Sequence, residues 1–302
     1  MTDVTHVLIS GSHLWGLYNF GIMRYIEAFP EFFTKIKDYG GVSFGAMTAL
    51  LMSINANVKD IENLFYQIAE NEELKTIEFN ELLNLLDSKG IHDINKVFNI
   101  CVEYCKTIKK YDDFENFTFS DISKRYGNNL HILTLCVHSG ELVLFNTDLT
   151  PNQNVLECVK ASCCVPIFSQ PIMIDGYLYC DPCITDNTIL QFFGDVPKNQ
   201  ILSIIHIFPS NVKQYPKNYE MNSYEYYMNI FYSFYKKRSY IAHAKYINDN
   251  TLVVNNHEDI ISVNVNDNGF YFNITRESVD IAVLYGFKLM VDWMKKHYGK
   301  LV

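Results

Sequence analysis

The chain has 302 residues, of which 48% are hydrophobic and 15% aromatic, enough apolar surface to build a sizeable core. Its net charge of -9 and its single dense basic run, Lys236-Lys237-Arg238, argue against a protein that binds nucleic acid. No apolar run approaches the roughly 20 residues of a membrane span, and Met1-Thr2-Asp3 does not resemble a signal peptide, so we expect a cytoplasmic protein.

The chain has no linker rich in Pro, Gly or Ser, so we predict a single domain over residues 1–302. Its eight cysteines are scattered and do not form the dense framework of a small secreted scaffold. We therefore expect reduced thiols.

Two βα units are predicted before residue 55. Val7-Leu8-Ile9 is a short apolar strand, and apolar residues at near-helical spacing follow from Gly16 to Pro30. A second strand over Ile36 to Gly41 and a helix over Ala46 to Ile54 complete the pair. The first helix is long enough to cross over between two parallel strands.

The turn between the second strand and its helix carries a G-x-S-x-G motif formed by Gly41, Ser43 and Gly45. This spacing is typical of a nucleophile elbow, in which glycines let strand and helix approach around an exposed serine. The alternative is a glycine-rich turn in which Ser43 only caps the helix.

The middle of the chain is predicted to begin with a helical insertion at about residues 58–112. A capped helix starting near Thr118 follows, and then a hairpin around Ser139-Gly140 and a helix over Val155 to Ala161. A second hairpin turns at Asp175-Gly176, which places Asp181 at the end of a strand.

The C-terminal part, about residues 200–302, is predicted to contain four strands and an amphipathic helix from about Thr275 to His297. It also holds an aromatic helix over Tyr224 to Tyr235, which is apolar on nearly every side and is followed by the basic run. We expect this helix to pack in the core; the alternative is that it lies on a membrane surface.

Two kinds of side chain could activate Ser43. The first is a histidine, as in an α/β-hydrolase, where the order along the chain is Ser, acid, His. The histidines that follow an acid here are His206, His243, His257 and His297. Only one strand and one helix precede Ser43, however, whereas the α/β-hydrolase elbow follows several strands. The alternative base is Asp181, placed at a strand end where active sites of open α/β sheets collect.

Several separated blocks of the chain resemble the patatin-like phospholipase family over core motifs at residues 7–187. The blocks are Ser10-Gly11 with Gly16 and Gly21, the elbow, Ala161-Ser162 with Val165-Pro166 and Phe168, Asp175-Gly176, Asp181, and Asp186-Asn187. The resemblance implies a three-layer α/β/α fold with a central, mostly parallel sheet. It also implies a cofactor-independent and metal-independent acyl hydrolase with a Ser-Asp dyad, here Ser43 and Asp181.

Two motifs depart from the pattern of that family. Its glycine-rich oxyanion loop, which also has a basic residue, reads Gly11-Ser12-His13-Leu14-Trp15-Gly16 here, and its Asp-Gly-Gly motif reads Asp181-Pro182-Cys183. At His13 a side chain requires either a strained backbone or an amide turned away from the oxyanion. Because Trp15 replaces the basic residue, we expect a relaxed loop with the amide turned away.

We therefore predict an enzyme that cleaves phospholipid or related lipid esters, touching a membrane surface transiently. In this enzyme the backbone amides of the loop Gly11 to Leu14 hold the oxyanion. The alternative is a catalytically impaired relative that binds lipid or a protein partner through the same cleft. A third hypothesis takes Cys180 and Cys183 as a redox or zinc pair, with Cys163 and Cys164 as further candidate ligands.

Overall fold

A computed structural model describes residues 2–71, 76–78, 89–95, 98–99, 102–103, 105–106, 113–207, 216–221, 226, 229–230, 233, 237, 244–257, 262–266 and 269–299. In the part of the chain that it describes, no helix is both long enough and apolar enough to cross a membrane.

Strands and helices alternate through the first half of the chain, and strands dominate the second. The strands are β1 His6–Ile9, β2 Asp38–Val42, β3 Thr76–Glu78, β4 Gly90–His92, β5 Asn129–Cys136, β6 Leu142–Asn146, β7 Ile167–Ser169, β8 Ile172–Ile174, β9 Tyr177–Cys180, β10 Ile201–Ile207, β11 Thr251–Asn255, β12 Ser262–Asn266 and β13 Gly269–Asn273. The α-helices are α1 Leu17–Ala28, α2 Phe44–Ser53, α3 Val58–Glu70, α4 Phe119–Tyr126, α5 Val155–Cys163 and α6 Arg276–Tyr298. Short 3₁₀ helices cover His13–Gly16, Pro30–Phe32, Phe114–Asn116, Pro182–Ile184, Leu190–Phe193 and Lys198–Gln200.

The main sheet has eight strands in the order β11-β10-β1-β2-β5-β9-β8, with β6 also paired to β5. The pairs from β11 to β5 are parallel, and β6, β9 and β8 are antiparallel to their neighbours. Helices flank this sheet, so the predicted α/β fold with a mostly parallel central sheet is confirmed.

Apolar side chains on both faces explain why the parallel strands are buried. Val7 and Ile9 of β1 join the large core, which also includes side chains of α1, α2 and α6. Leu8, which lies between them in the sequence, packs on the other face in a smaller cluster with Ile189 and Phe193. The parallel strands end at one edge of the sheet, and the oxyanion loop follows β1 there while the elbow follows β2.

The segment predicted as a helical insertion contains strands as well as helix. The helix α3 is present, but β3 pairs with β13 and β4 pairs with β7. Leucines predicted to be helical at 82–86 lie outside the described residues. The prediction was wrong about β3 and β4 because the pairing partners of these strands lie far away in the sequence.

The C-terminal part was predicted well at its strands and at its last helix. Thr275 caps α6 through a capping box, and Gly299 ends it in the left-handed conformation. Most of the predicted aromatic helix lies outside the described residues. Of those described, Tyr226 is 53% and Ile230 is 39% exposed, so the expectation of burial is wrong at these two residues.

Candidate active site

Ser43 lies at the turn from β2 into α2 and is 8% exposed. Its φ of 55° and ψ of −128° place a non-glycine residue in the left-handed half of backbone space, which costs on the order of 1–3 kcal/mol. A Cβ on Gly41 would collide with the backbone of Gly45, and a Cβ on Gly45 would lie 2.6 Å from the carbonyl oxygen of Ile9. The strand and the helix therefore meet as a nucleophile elbow requires.

The backbone of Ser43 is held by a residue to which the sequence analysis gave no role. The Ser43 N–H donates to the Oγ of Ser162 over 2.8 Å, and that hydroxyl donates to the carbonyl of Leu133 over 2.6 Å. The signal in the sequence was the Ala161-Ser162 block, which marked the family resemblance without indicating this contact.

Asp181 follows β9 and is fully buried. Its N–H donates to the carbonyl of Cys164 over 2.9 Å, and its Oδ1 accepts the N–H of Cys183 over 2.9 Å. Pro182 occupies the first turn of the 3₁₀ helix Pro182–Ile184, where a missing N–H costs little. The altered Asp181-Pro182-Cys183 motif therefore still provides the carboxylate with a backbone donor.

The side chain of Ser43 lies near enough to the Asp181 carboxylate to influence its pKa. Burial raises the pKa of Asp181 to about 6, while the Ser43 hydroxyl and the Cys183 N–H lower it by interacting with the carboxylate. Among the described residues, no group bonds to Asp181 Oδ2 with ordinary hydrogen-bond geometry. Catalytic hydrogen bonds are often poorly aligned before substrate binds, so a loose Ser43–Asp181 contact is compatible with a dyad.

The oxyanion loop is fixed at its first residue. The Gly11 N–H donates to the Asn187 carbonyl over 3.1 Å, and the Asn187 side-chain amide donates to the Gly11 carbonyl over 2.8 Å. A Cβ on Gly11 would collide with the Asn187 side chain. Ser12 is fully buried, and Leu14 packs against the large core.

His13 shows that the loop is not relaxed. Its φ is 52°, so it takes the left-handed conformation that glycine adopts at no steric cost. The expectation of a relaxed loop is therefore wrong at this residue. Burial lowers the pKa of His13 to about 4, which leaves the imidazole neutral at physiological pH. His13 therefore does not supply the positive charge of the basic residue that the family has in this loop.

The described histidines of the Ser-acid-His hypothesis are engaged elsewhere. Both ring nitrogens of His206 face side-chain oxygens, of Asn19 at 2.8 Å and of Asn256 at 3.0 Å. His257 meets the ring of Tyr285, and His297 meets the ring of Trp293. His243 lies outside the described residues. These contacts favour the carboxylate as the base.

The cysteines next to Asp181 are buried free thiols. Burial raises the pKa of Cys180 to about 12 and that of Cys183 well above its ordinary value. A redox pair needs an accessible thiolate, so these values argue against that hypothesis. The described part of the chain contains no group of three or more His, Cys, Asp or Glu side chains that could hold a metal ion.

Comparison with known families gives a match over most of the α/β core. The model of the family described as patatin-like phospholipase matches residues 7–193. This range includes Ser43, Asp181, the loop Gly11 to Leu14 and Asn187.

Two viral proteins are similar to the chain in sequence. It is 24% identical over 196 residues to the uncharacterized protein R571 of Acanthamoeba polyphaga mimivirus, covering 64% of this chain and 63% of that protein. It is 21% identical over 184 residues to the probable lipid hydrolase 463L of Invertebrate iridescent virus 6, covering 60% of each. The matches therefore span less than two thirds of either relative.

Among solved structures, the fold is similar to that of VipD from Legionella pneumophila. The TM-score is 0.56 at 16% sequence identity, covering 98% of this chain and 67% of VipD. At this identity, the similarity concerns the fold alone.

Proposed function

The chain belongs to the patatin-like phospholipase family, and on this basis we propose that it hydrolyses ester bonds of phospholipids or related lipids. The observation that carries the proposal is the strained elbow at Ser43 beside the fully buried carboxylate of Asp181, whose pKa the Ser43 side chain lowers. A lipid substrate also implies transient contact with a membrane surface. The expected cytoplasmic location remains a prediction.

In the proposed reaction, the Asp181 carboxylate accepts the hydroxyl proton of Ser43 as Ser43 Oγ bonds to the ester carbonyl carbon. The proton then passes to the departing alcohol oxygen as its bond to carbon breaks, which leaves an acyl group on Ser43. Water attacks this acyl group with Asp181 again as base, releasing the fatty acid and restoring the hydroxyl. No redox partner or cofactor is required.

The negative charge on the carbonyl oxygen requires donors placed in advance. We assign this role to backbone amides that follow Gly11 in the loop Gly11 to Leu14, because Asn187 fixes the start of the loop by accepting the Gly11 N–H, and His13 keeps a conformation typical of glycine. The N-terminus of α2, which is the positive end of the helix dipole, also stabilises this negative charge.

The second candidate function is a catalytically impaired protein that binds lipid or a protein partner through the same cleft. The observation that favours it is the state of the loop, in which a half-buried, neutral His13 stands among altered residues and Trp15 replaces a cation. This alternative predicts that the cleft still binds lipid without turnover.

Turnover of phosphatidylcholine vesicles separates the two candidates. We expect the wild type to release fatty acid, Ser43→Ala to release none above background, and Asp181→Asn to lose a hundredfold or more. Asp175→Asn is the matched control, since Asp175 lies at a hairpin turn with φ 49°, which asparagine tolerates. A wild type that sediments with the vesicles but releases no fatty acid would favour the impaired candidate.

A further inference from the structure

The hydroxyl of Ser162 lies between two backbone groups at the end of the β2–β5 pair. Val42 and Leu133 are register partners at the end of this parallel ladder, and Ser43 is the residue that follows β2. There the chain turns into α2, and the Ser162 Oγ meets both the Ser43 N–H and the Leu133 carbonyl, at 2.8 and 2.6 Å.

The direction of both hydrogen bonds follows from the chemistry of the groups. A carbonyl oxygen can only accept, so the single hydroxyl hydrogen of Ser162 points to Leu133. The Ser162 oxygen is thereby left to accept the N–H of Ser43. All three groups are inside the protein, where an unpaired N–H or carbonyl is costly.

The two hydrogen bonds hold the backbone of Ser43, whose conformation is intrinsically unfavourable. A non-glycine residue keeps a left-handed φ only where its surroundings determine its conformation. The Ser162 bridge ties the backbone of Ser43 to the centre of the sheet through helix α5, which carries Ser162 on its buried side. The same bridge occupies the Ser43 N–H, which is therefore directed away from the reacting carbonyl.

We infer that Ser162 is a positioning residue that holds the Ser43 hydroxyl against its base by bridging the Ser43 amide to the Leu133 carbonyl. The inference rests on the proposed function, in which Ser43 is the nucleophile. Without the bridge, the turn relaxes toward ordinary backbone angles and the Ser43 hydroxyl moves away from Asp181. Substrate binding, which depends on the rest of the cleft, stays as it was.

The test compares Ser162→Ala with Ser53→Ala in the full chain. Ser53 is a matched control because it is also a fully buried serine whose hydroxyl donates to a backbone carbonyl, that of Leu50 at 2.8 Å, at the far end of α2. The readouts are kcat and KM for vesicle hydrolysis, the rate at which a fluorophosphonate labels Ser43, and Tm.

We expect Ser162→Ala to lower both kcat and the labelling rate by about ten- to a hundredfold while KM changes less than twofold. Ser53→Ala should lower Tm by a similar amount and leave both rates within twofold of the wild type. Ser162→Cys keeps a weak donor and acceptor, so its labelling rate should fall between those of serine and alanine, and it replaces the alanine variant if that variant does not fold.

A folded Ser162→Ala protein labelled at the wild-type rate would overturn this inference and leave the proposed function standing. Equal rate losses in Ser162→Ala and Ser53→Ala would also overturn it, since stability alone would then explain the loss. A wild type that is neither labelled at Ser43 nor active on vesicles would overturn the proposed function, and this inference with it.

Discussion

Asp181 lowers the stability of the folded protein at neutral pH. Its carboxyl has a pKa of about 6 in the fold against an ordinary value of 3.8, because burial disfavours the charged form. For a carboxyl whose folded pKa is raised, the favourable contribution is fully present below the unfolded pKa and is lost as the pH rises through the folded pKa. Above about pH 6 the ionised group therefore costs the fold about 1–3 kcal/mol.

We predict that Asp181→Asn unfolds at a higher temperature than the wild type at pH 7.5 although its turnover is lost. The gain in Tm should shrink as the pH falls from 6 toward 4 and should vanish below that, where the wild-type carboxyl is protonated in both states. Thermal unfolding of both proteins over this pH range measures the effect. A variant less stable than the wild type at pH 7.5 would show that the carboxylate is well compensated in the fold.

Ionisation of Asp181, which lowers the stability of the fold, is required for activity, because a general base must be unprotonated. We predict that kcat/KM for vesicle hydrolysis rises with pH up to about 6 and is level above it. His13 has a pKa of about 4, so its titration should not change kcat/KM above pH 5. A profile that is flat between pH 5 and 7 would mean that another group is the base.

At His13 the backbone is already in the conformation that glycine would take. We therefore predict that the double change Ser12→Gly with His13→Gly keeps turnover within about fivefold of the wild type, because the path of the loop does not change. Steady-state hydrolysis of vesicles measures this. A rise of a hundredfold would show that the His13 amide is turned away in the wild type, and a fall of a hundredfold would show that the imidazole is itself the donor.

At the scale of elements, the elbow depends on how closely α2 approaches β1. A Cβ on Gly45 would lie 2.6 Å from the carbonyl oxygens of both Ile9 and Ser10, so Gly45→Ala must push the helix away from the strand. We predict a loss of about 1–3 kcal/mol in the free energy of unfolding, together with a large loss of turnover. Denaturant unfolding and vesicle hydrolysis measure the two effects.

Gly194→Ala is the control for Gly45, because a Cβ there meets nothing within 4 Å and its φ lies outside the left-handed region. This variant should match the wild type in stability and in turnover. If Gly45→Ala behaved like Gly194→Ala, the close packing of the elbow would not be needed for its function.

Local signals explain which elements were predictable from the sequence. The Asp175-Gly176 turn and the caps at Thr118 and Thr275 depend on residues a few positions apart, and all three are present. The elbow and the place of Asp181 at a strand end were predictable for the same reason.

The features that could not be predicted from the sequence depend on contacts between residues that are distant in the chain. The strand β3 exists through its pairing with β13, almost 200 residues later, and no local period reveals such a pair. The Ser43–Ser162 hydrogen bond and the Gly11–Asn187 contact likewise join residues more than 100 positions apart. A left-handed φ is unfavourable for any residue that carries a side chain, so the surrounding fold must impose it on His13.

At the scale of the whole molecule, the last helix packs directly on the first. A Cβ on Gly286 of α6 would collide with the carbonyl of Tyr18 in α1, and a Cβ on Gly21 would collide with the backbone of α6. The helix α6 lies beyond the residues that match the family model, yet it packs against α1, the helix of the first βα unit.

We predict that Gly286→Ala separates the two helices and lowers the free energy of unfolding by about 1–3 kcal/mol, with one cooperative transition retained. Circular dichroism and intrinsic fluorescence, followed through denaturant unfolding, should report the same midpoint. Two separated transitions would contradict the single domain predicted over residues 1–302.

The central claim is that Ser43, activated by Asp181, is the nucleophile. The most direct measurement is reaction of the wild-type protein with a fluorophosphonate, followed by mass spectrometry of its peptides. We predict phosphonylation at Ser43 alone, because among the serines that the structure describes only Ser43 combines a strained elbow, a helix N-terminus and a neighbouring carboxylate, and we predict its absence in Ser43→Ala. Labelling that survives in Ser43→Ala, or a wild type that is not labelled, would contradict the claim.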